Sequence, residues 1–410
     1  MRRIISIGLT IGVVVAVLLM TPAVITQQTP GDVITVRAAR VLDGRGNVLE
    51  NAVVTVRGTK IDRVVQRAPG QGLTHDLGDV TLMPGMIDVH THVDWHFQPN
   101  GKYGNRPGEP RETPAERDAA VAENLKATLM AGFTTVQNVG NAGDRALKEG
   151  IAAGTIVGPR ILSSMGQISS GTPQELRERV RLLKENGADL IKIFASESIR
   201  TGGAPTMTQE QLDAVCGEAR AQKLRTLVHA HAAEAIIRVV KAGCTQVEHG
   251  AYASDEALVL MRDRGIYFDP NIGLVLQNYI ENKDRFMGSG NYNEEGFAFM
   301  EKAVGIKGEM FKRALKSGVK MPLGTDAVAG AHGQNAREII ARVEEGQAPM
   351  AGIISATSLA AESMRLGTTI GTLAPKFEAD IIAVGGDPTK DIKTLRDVRF
   401  VMRAGVVYKR

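Results

Sequence analysis

The chain has 410 residues, of which 43% are hydrophobic and 23% charged, and this composition excludes a disordered or fibrous protein. Aromatic residues are sparse at 4%, whereas the 45 glycines suit an α/β fold with many short strand-to-helix turns. The net charge of +4 is too small to indicate a nucleic-acid partner.

Residues 1–28 have the layout of a signal peptide or an N-terminal anchor. Arg2 and Arg3 precede an uncharged run from Ile4 to Met20, as in an export signal. The run is close in length to a membrane span and no clear small-residue cleavage site follows it, so an uncleaved anchor stays an alternative. We therefore expect an exported protein, periplasmic or extracellular, whose only membrane contact is through this segment.

Both ends of the remaining chain predict short β-strands. Residues 32–83 contain β-branched runs separated by Asp-Gly, Gly-Asn and Arg-Gly turns, as in VITVRAARVLDGRGNVLENAVVTVRGTK. Residues 366–410 return to the same pattern in ADIIAVGG and VRFVMRAGVVYKR. Since each part is small, we expect the two to pair into one β-sandwich domain that flanks the central region.

Residues 84–365 alternate between apolar strands and helices. The capping box Thr172-Pro-Gln-Glu175 predicts the start of a helix that leads to the strand ADLIKIF, and Thr208 caps the helix before RTLVHAH. About eight such strands fit between Gly85 and Ala327, and neither common Gly-rich phosphate loop is present. The pattern predicts an α/β fold, a (β/α)8 TIM barrel rather than an open doubly wound sheet.

The chain contains two cysteines, Cys216 and Cys244. Both fall in predicted regular structure. We expect them to form neither a disulfide framework nor a metal cluster.

Histidines concentrate at the ends of the predicted barrel strands. In PGMIDVHTHVD, His90 and His92 share one face of a strand because successive side chains alternate. The carboxyl ends of barrel strands meet at one mouth, and neutral imidazole is the commonest transition-metal ligand. A metal site is therefore predicted at this mouth. The polar residues at the ends of later strands are Lys192, His229, His231, His249 and Asp326.

Lys192 lies among apolar neighbours in LIKIF. An isolated lysine in such a strand would extend its ammonium group toward water. Beside metal cations a buried ammonium is strongly disfavoured. Carboxylation by carbon dioxide would instead give a carbamate anion with two oxygens that can bridge two metals.

These motifs together resemble the amidohydrolase superfamily. The resemblance covers nearly the whole chain after residues 1–28. Within the superfamily the chain is most similar to the imidazolonepropionase-like group, which contains metal-dependent dipeptidases of the Xaa-Pro (prolidase-like) and the Xaa-Arg or Xaa-Lys type. The matching segments are PGMIDVHTH, GFTTVQNVG, LIKIFAS, VHAHA, VEHG, FDPNIGL, GTDA and GTLAPKFEADIIAVGGDP.

The resemblance implies a binuclear metal centre. Two pairs of histidines would bind two divalent ions, a carboxylated lysine would bridge them, and an aspartate would contact the first ion and move the proton of the attacking water. Zinc, manganese or cobalt suits these ligands, and we expect zinc. The residues are His90 and His92 for the first ion, His229 and His249 for the second, Lys192 for the bridge and Asp326 for the proton.

Three further residues are assigned to the substrate side. His231 shares a strand face with His229, but the family's ligand is the first histidine of this pair, so we place His231 near the substrate as a catalytic residue. It would hold the carbonyl oxygen or orient a ligand. His332 and Tyr252 are candidate substrate contacts, with an exposed loop histidine as the alternative for His332.

The expected function is hydrolysis of the amide or peptide bond of a dipeptide or an N-acyl amino acid. A deaminase is the first alternative, because His231-Ala-Ala-Glu234 matches the HxxE pattern of one-metal deaminases. Against it, Glu234 begins a predicted helix, whose N-terminus favours a negative charge, and Lys192 has no role in a one-metal site. An imidazolone-type cyclic amide hydrolase, a lactone, phosphotriester or xenobiotic amide hydrolase, and a non-catalytic metal-binding protein also stay open. Association of the chain into a homo-oligomer also stays open.

Overall fold

The computed structural model describes residues 33–66, 72–104 and 110–410. The predicted signal peptide or anchor lies outside these residues. Within the three described ranges, each helix is too short or too polar to cross a bilayer.

Strands dominate both ends of the described chain, and helices alternate with strands between them. The strands are β1 Val33–Leu42, β2 Val48–Arg57, β3 Lys60–Gln66, β4 His75–Asp76, β5 Val80–Pro84, β6 Met86–Thr91, β7 Phe133–Asn138, β8 Arg160–Ser163, β9 Gln167–Ile168, β10 Leu190–Phe194, β11 Arg225–Ala232, β12 Gln246–Tyr252, β13 Tyr267–Asp269, β14 Ile381–Gly385, β15 Val398–Arg403 and β16 Val406–Lys409. The α-helices are α1 Pro114–Met130, α2 Asp144–Ala153, α3 Pro173–Glu185, α4 Gln209–Ala221, α5 Ala233–Lys241, α6 Asp255–Asp263, α7 Val275–Glu281, α8 Lys283–Phe286, α9 Glu294–Ser317, α10 Ala336–Glu344, α11 Pro349–Ser355 and α12 Ser358–Ser363. Two 3-10 helices span Ile199–Thr201 and Ile392–Arg396.

The two ends of the chain form one eight-stranded sheet. Its order is β16-β15-β14-β5-β1-β2-β3, with β4 beside β1. The N-terminal and C-terminal parts join where β5 pairs antiparallel with β14, with Leu82 opposite Ala383. The predicted pairing of the two ends is confirmed, whereas a two-layer sandwich stays a prediction.

The central strands run parallel and form two sheets, β6-β7-β8 and β13-β12-β11-β10-β9. Residues 320–327 lie between the outer strands of these sheets. Phe268 of β13 donates its N–H to the carbonyl of Lys320, and Val89 of β6 donates to the carbonyl of Leu323. The fold is therefore α/β, as predicted, with residues 320–327 inserted between β13 and β6.

Two helix starts predicted from capping residues are confirmed. The Thr172 side chain accepts from the N–H of Glu175 at the start of α3, and Thr208 accepts from Gln211 at the start of α4. Each cap satisfies a backbone donor that the first turn of a helix leaves without a partner.

Alternation along the central strands separates an apolar face from a polar one. Ile191 and Ile193 of β10 and Val228 of β11 pack into the hydrophobic core under the surrounding helices. The residues between them, Lys192 and His229, therefore face the opposite side. This side holds the candidate site.

The two cysteines form a disulfide, so the expectation that they would form none is wrong. Cys216 lies in α4 and Cys244 lies two residues before the start of β12, with Cα atoms 5.2 Å apart. The two residues come together because α4 and the turn after α5 pack behind the same parallel sheet. Such a contact depends on tertiary packing, which the spacing of two residues in the sequence does not reveal.

Candidate metal centre

The residues predicted from the strand ends meet in one cavity of about 390 Å³. Each of the six predicted metal ligands and His231 contributes to its wall. The site is built from the carboxyl ends of four parallel strands and from the turn that contains Asp326. The contributions are His90 from β6 and His92 directly after it, Lys192 from β10, His229 and His231 from β11, and His249 from β12.

His90, His92 and Asp326 form the first group of candidate ligand atoms. His92 Nε2 lies 3.1 Å and His90 Nε2 lies 3.4 Å from Oδ1 of Asp326. One atom from each of the three residues can be chosen so that all lie within 4.8 Å of one another. Two imidazoles and a carboxylate at this spacing can hold one divalent cation.

His90, His249 and Glu248 form a second group with the same spacing. His229 lies beside this group, with its ring centroid 4.6 Å from that of His249. However, Nε2 of His229 lies 3.0 Å from the carbonyl oxygen of Glu197. Glu248 was not predicted from the sequence, although its position directly before His249 in VEHG was a usable signal.

Lys192 lies between the two groups and is 1% exposed. Its Nζ contacts Oε2 of Glu248 and lies 3.5 Å from Nε2 of His90. The amine is therefore at the centre of the cluster rather than directed toward water.

Two of the candidate ligands have a left-handed backbone. His249 has φ 70° and Asp326 has φ 53°, a region that costs a residue other than glycine about 1–3 kcal/mol. In a regular strand Glu248 and His249 would point to opposite faces. The turn at His249, together with a register shift in the pairing of β11 with β12, brings both side chains to one cluster.

Burial keeps most of the imidazoles neutral. It lowers the pKa of His229 to about 3 and the pKa values of His231 and His249 well below the usual range. Burial also opposes a charge on His90, but the carboxylates of Glu248 and Asp326 outweigh it and raise its pKa. Although burial acts in the other direction, His90 and His92 hold the pKa of Asp326 below its usual range.

This donor set fits a transition-metal ion. Within the described ranges, Nδ1 of His92 and Nδ1 of His231 are buried without a hydrogen-bond partner. Buried polar atoms in native proteins normally have a partner. Neutral imidazoles next to an ionised carboxylate are suitable ligands for zinc, manganese or cobalt.

A buried carboxylate that was not predicted from the sequence supports the ligands from behind. Asp88 accepts from the Thr325 hydroxyl at 2.6 Å, from Asn335 Nδ2 at 2.7 Å and from the N–H of His90 at 3.1 Å. Its burial raises its pKa to about 7, against the opposing effect of these hydrogen bonds. Asp88 thus ties β6 to the turn that carries Asp326. Its position two residues before His90, on the same strand face, was the available signal.

The structure does not bring every predicted substrate residue to the cavity. His231 is in its wall, but Tyr252 and His332 are not among the lining residues. Tyr252 packs beside an aromatic cluster behind the wall, and Nε2 of His332 lies 3.3 Å from the carbonyl oxygen of Trp95. Glu234 is exposed and paired with Arg238 at the start of α5, as the helix-terminus interpretation predicts.

Aromatic and cationic residues complete the wall opposite the ligands. They come from loops and helices outside the strand ends, and the sequence analysis missed them. They include Arg200, Tyr279 and Lys307.

Comparison with known proteins identifies the family. The model of the amidohydrolase family matches residues 81–409. The chain belongs to the amidohydrolase family. It is 27% identical over 442 aligned positions to the ochratoxinase of Aspergillus niger, an alignment that covers 95% of this chain and 89% of that protein.

Solved structures agree with this membership. A Xaa-Pro dipeptidase with bound methionine is 27% identical, with a TM-score of 0.83 over 92% of this chain and 100% of that one. A prolidase complexed with N-methylphosphonate-L-proline is 25% identical, with a TM-score of 0.81 over the same fractions. The amidohydrolase is thus a hydrolase of carbon–nitrogen bonds with a TIM-barrel-like α/β fold, and the predicted family is confirmed.

Proposed function

We propose that this amidohydrolase holds two divalent metal ions, of which zinc is the first choice, bridged by carboxylated Lys192. In this proposal it hydrolyses the amide or peptide bond of a dipeptide or an N-acyl amino acid. The observation that carries the proposal is the position of Lys192 Nζ between two groups of candidate ligands that share His90. The similarity to a Xaa-Pro dipeptidase and to ochratoxinase supports the substrate class.

In this centre His90 and His92 would hold the first ion with Asp326, and His229 and His249 would hold the second. For His229 to do so, Nε2 must exchange the Glu197 carbonyl oxygen for the ion, or the ring must use its other nitrogen. When bound, the ions would supply an acidified water and a positive charge that polarises the scissile carbonyl. Glu248 is a further candidate ligand within reach of His90 and His249.

The carbamate would form when the Lys192 amine attacks carbon dioxide, which creates a nitrogen–carbon bond and releases one proton. As an ammonium, Lys192 adds a positive charge to a site that would already hold two divalent cations, and the repulsion is strong in a buried cavity. As a carbamate it contributes a negative charge and two oxygen ligands. The second form therefore matches a two-metal site.

Asp326 and His231 are the proposed catalytic residues. Asp326 stays ionised beside His90 and His92, so its carboxylate can accept the proton of the attacking water and return it to the leaving amine. His231 is neutral and lines the cavity, so its ring can donate a hydrogen bond to the substrate carbonyl. The exposed, paired Glu234 does not suit the proton shuttle of a one-metal deaminase.

The proposal extends to the architecture and the location of the protein. We propose that β6 to β13 and residues 320–327 close into a (β/α)8 barrel, flanked by a β-sandwich from both chain ends. Residues 1–28 would direct export. The disulfide between Cys216 and Cys244 supports this location, because disulfides persist in oxidising compartments and are rare in the cytosol.

The test uses the full-length protein, loaded with zinc in bicarbonate, and a panel of dipeptides and N-acyl amino acids. Amine release is followed together with metal content. We expect two ions per chain and hydrolysis that a chelator abolishes and zinc restores. Two ions without amine release from any member would refute the amide substrate class, and lactones and phosphotriesters would be tested next.

A further inference from the structure

Two cations in the cavity wall have no acidic partner within the described ranges. Arg200 follows β10 in the 3-10 helix Ile199–Thr201, and Lys307 lies in the middle of α9. No carboxylate oxygen in those ranges lies within 4.0 Å of the charged group of the half-buried Arg200 or of the buried Lys307, whereas the buried Arg342 is paired with Glu338 and Asp269. Buried charges are normally paired, so this pair of cations needs an explanation.

One hydrogen bond and two aromatic rings hold the Arg200 guanidinium in place, and its two terminal nitrogens keep donors for a ligand. Its Nε donates to Oδ1 of Asn291 at 2.7 Å, and its guanidinium carbon lies 4.1 Å from the ring centroid of Tyr292 and 5.6 Å from that of Tyr279. Stacking on aromatic rings fixes the plane of a guanidinium. Within the described chain both terminal nitrogens lack a hydrogen-bond acceptor, so they can serve a ligand.

Lys307 is 2% exposed. Its Nζ donates to the carbonyl oxygen of Asn271 at 2.5 Å. An ammonium has three donors, so two remain for another acceptor. Burial lowers the pKa of Lys307 to about 8, which is the sign of a desolvated charge that no neighbouring anion fully compensates.

The two cations belong to one side of the cavity. Arg200 packs against the start of α9, because a Cβ on Gly296 would lie 3.4 Å from Cβ of Arg200, and Lys307 is on the same helix. The loop after Arg200 also packs on β11, since a Cβ on Gly203 would lie 2.6 Å from Cβ of His231. Arg200 therefore lies on an element that packs against both the helix of Lys307 and the strand of His231, and both cations line the cavity that holds Asp326.

We propose that Arg200 and Lys307 form a carboxylate-binding subsite that makes a free carboxylate on the amine fragment a requirement of the substrate. The inference rests on the proposed amide hydrolysis. One carboxylate can accept from a guanidinium and an ammonium at the same time, and both bonds are charge-assisted. In a dipeptide or an N-acyl amino acid the carboxylate is one carbon from the scissile nitrogen, so this subsite orients the amide toward the ligand cluster. Val275 and Leu276 offer an apolar surface for the adjacent side chain.

The kinetic test compares N-acyl amino acids with the corresponding N-methylamides, which have the same scissile bond and no negative charge. We expect kcat/KM to be about 100-fold higher for the acids.

Arg200→Met and Lys307→Met should each raise KM for the acids by about 10- to 100-fold, with little change in kcat and little effect on the amides. Arg200→Lys and Lys307→Arg should recover part of the loss. Lys302→Met, an exposed lysine of the same helix, is the matched control and should match wild type.

Equal turnover of acids and amides, or equal losses on both in the variants, would overturn the subsite. A second readout needs no turnover. Calorimetry compares the affinity for free L-phenylalanine with that for L-phenylalaninamide, in metal-free and in zinc-loaded protein. The free acid should bind at least about 10-fold more tightly in both forms, and Lys307→Met should remove the difference. No difference would refute the subsite even if amides are hydrolysed, whereas a clear difference without hydrolysis would keep the subsite and refute the proposed function.

Discussion

The two sides of the cavity are built from different parts of the chain. The ligand side is formed by strand ends, where His90, Lys192 and His229 occupy inward positions of parallel strands. The opposite side is formed by a 3-10 helix, α7 and α9, which supply Arg200, Tyr279 and Lys307. The strand ends therefore carry the candidate metal ligands, and the connecting elements supply the part of the wall where we expect the substrate to be distinguished.

The two sides also differ in how their charges are satisfied. Asp326 has His90 and His92 beside it, and Lys192 has Glu248, so the ligand side compensates its charges internally. Within the described ranges the opposite side contains two cations without an acidic partner. The ligand side offers imidazole and carboxylate atoms to cations, whereas the opposite side offers positive charge to an anion. Each side can therefore be changed without the other.

The largest effect is expected for Asp326→Asn. The substitution keeps the shape of the side chain but removes the group that accepts and returns the proton, so kcat should fall by about 10³-fold or more. Much of the metal should remain, because the histidines are intact. Steady-state kinetics and metal analysis on one sample provide the check. A rate near wild type would contradict the role of Asp326.

Lys192→Ala should be next in effect. If Lys192 bridges both ions, its loss should remove them together and lower kcat/KM by about 10²-fold or more. Metal content by mass spectrometry distinguishes loss of both ions from loss of one. Lys302→Met serves again as the surface control. Retention of one tightly bound ion with normal turnover would indicate a one-metal site.

The sequence predicted the ligand side better than the opposite side for a physical reason. The inward positions of His90, His92 and His229 follow from alternation in a strand, which is a local property. Arg200 and Lys307 are about a hundred residues apart and line the same cavity only because α9 packs on the segment after β10. No periodicity in the sequence encodes that contact.

The fold shows the same division. The capped starts of α3 and α4, the parallel central strands and the pairing of the two chain ends were predictable from capping residues and β-branched runs. The disulfide was not, because it depends on how α4 packs against the turn after α5. Glu248 and Asp88 were missed although both lie next to recognised histidines, since their roles depend on a turn at His249 and on a partner more than two hundred residues away.

The disulfide offers a change that touches neither side of the cavity. Cys216 and Cys244 are 28 residues apart, and closing a loop of this length stabilises a protein by about 3.5 kcal/mol. The double variant Cys216→Ala and Cys244→Ala should lower the free energy of unfolding by that order while kcat stays within about 2-fold. Urea unfolding and kinetics on the same protein test both parts. A large loss of kcat would show that the bridge also positions the site.

Asp88→Asn tests the support behind the ligand side. The amide keeps one acceptor oxygen, and its NH2 group would face either Asn335 Nδ2 or the N–H of His90, leaving that buried donor without an acceptor. We expect a loss of about 2 kcal/mol of unfolding free energy, with Asp263→Asn on the surface as the control. A stability equal to wild type would show that the network relaxes without cost.

The smallest effect is a pH dependence that belongs to the opposite side alone. Lys307 carries its charge below its pKa, which burial lowers to about 8; Glu338, Asp326 and Asp269 oppose this lowering, and Arg342 adds to it. As pH rises through about 8, the ammonium loses its proton and its attraction for a carboxylate, so kcat/KM for N-acyl amino acids should fall by about 10-fold between pH 7 and pH 9. The N-methylamides should not show this decline, and Lys307→Met should abolish it for the acids. Since changes in the metal ligands would affect both kinds of substrate, a decline shared by the amides would assign the titration to the ligand side.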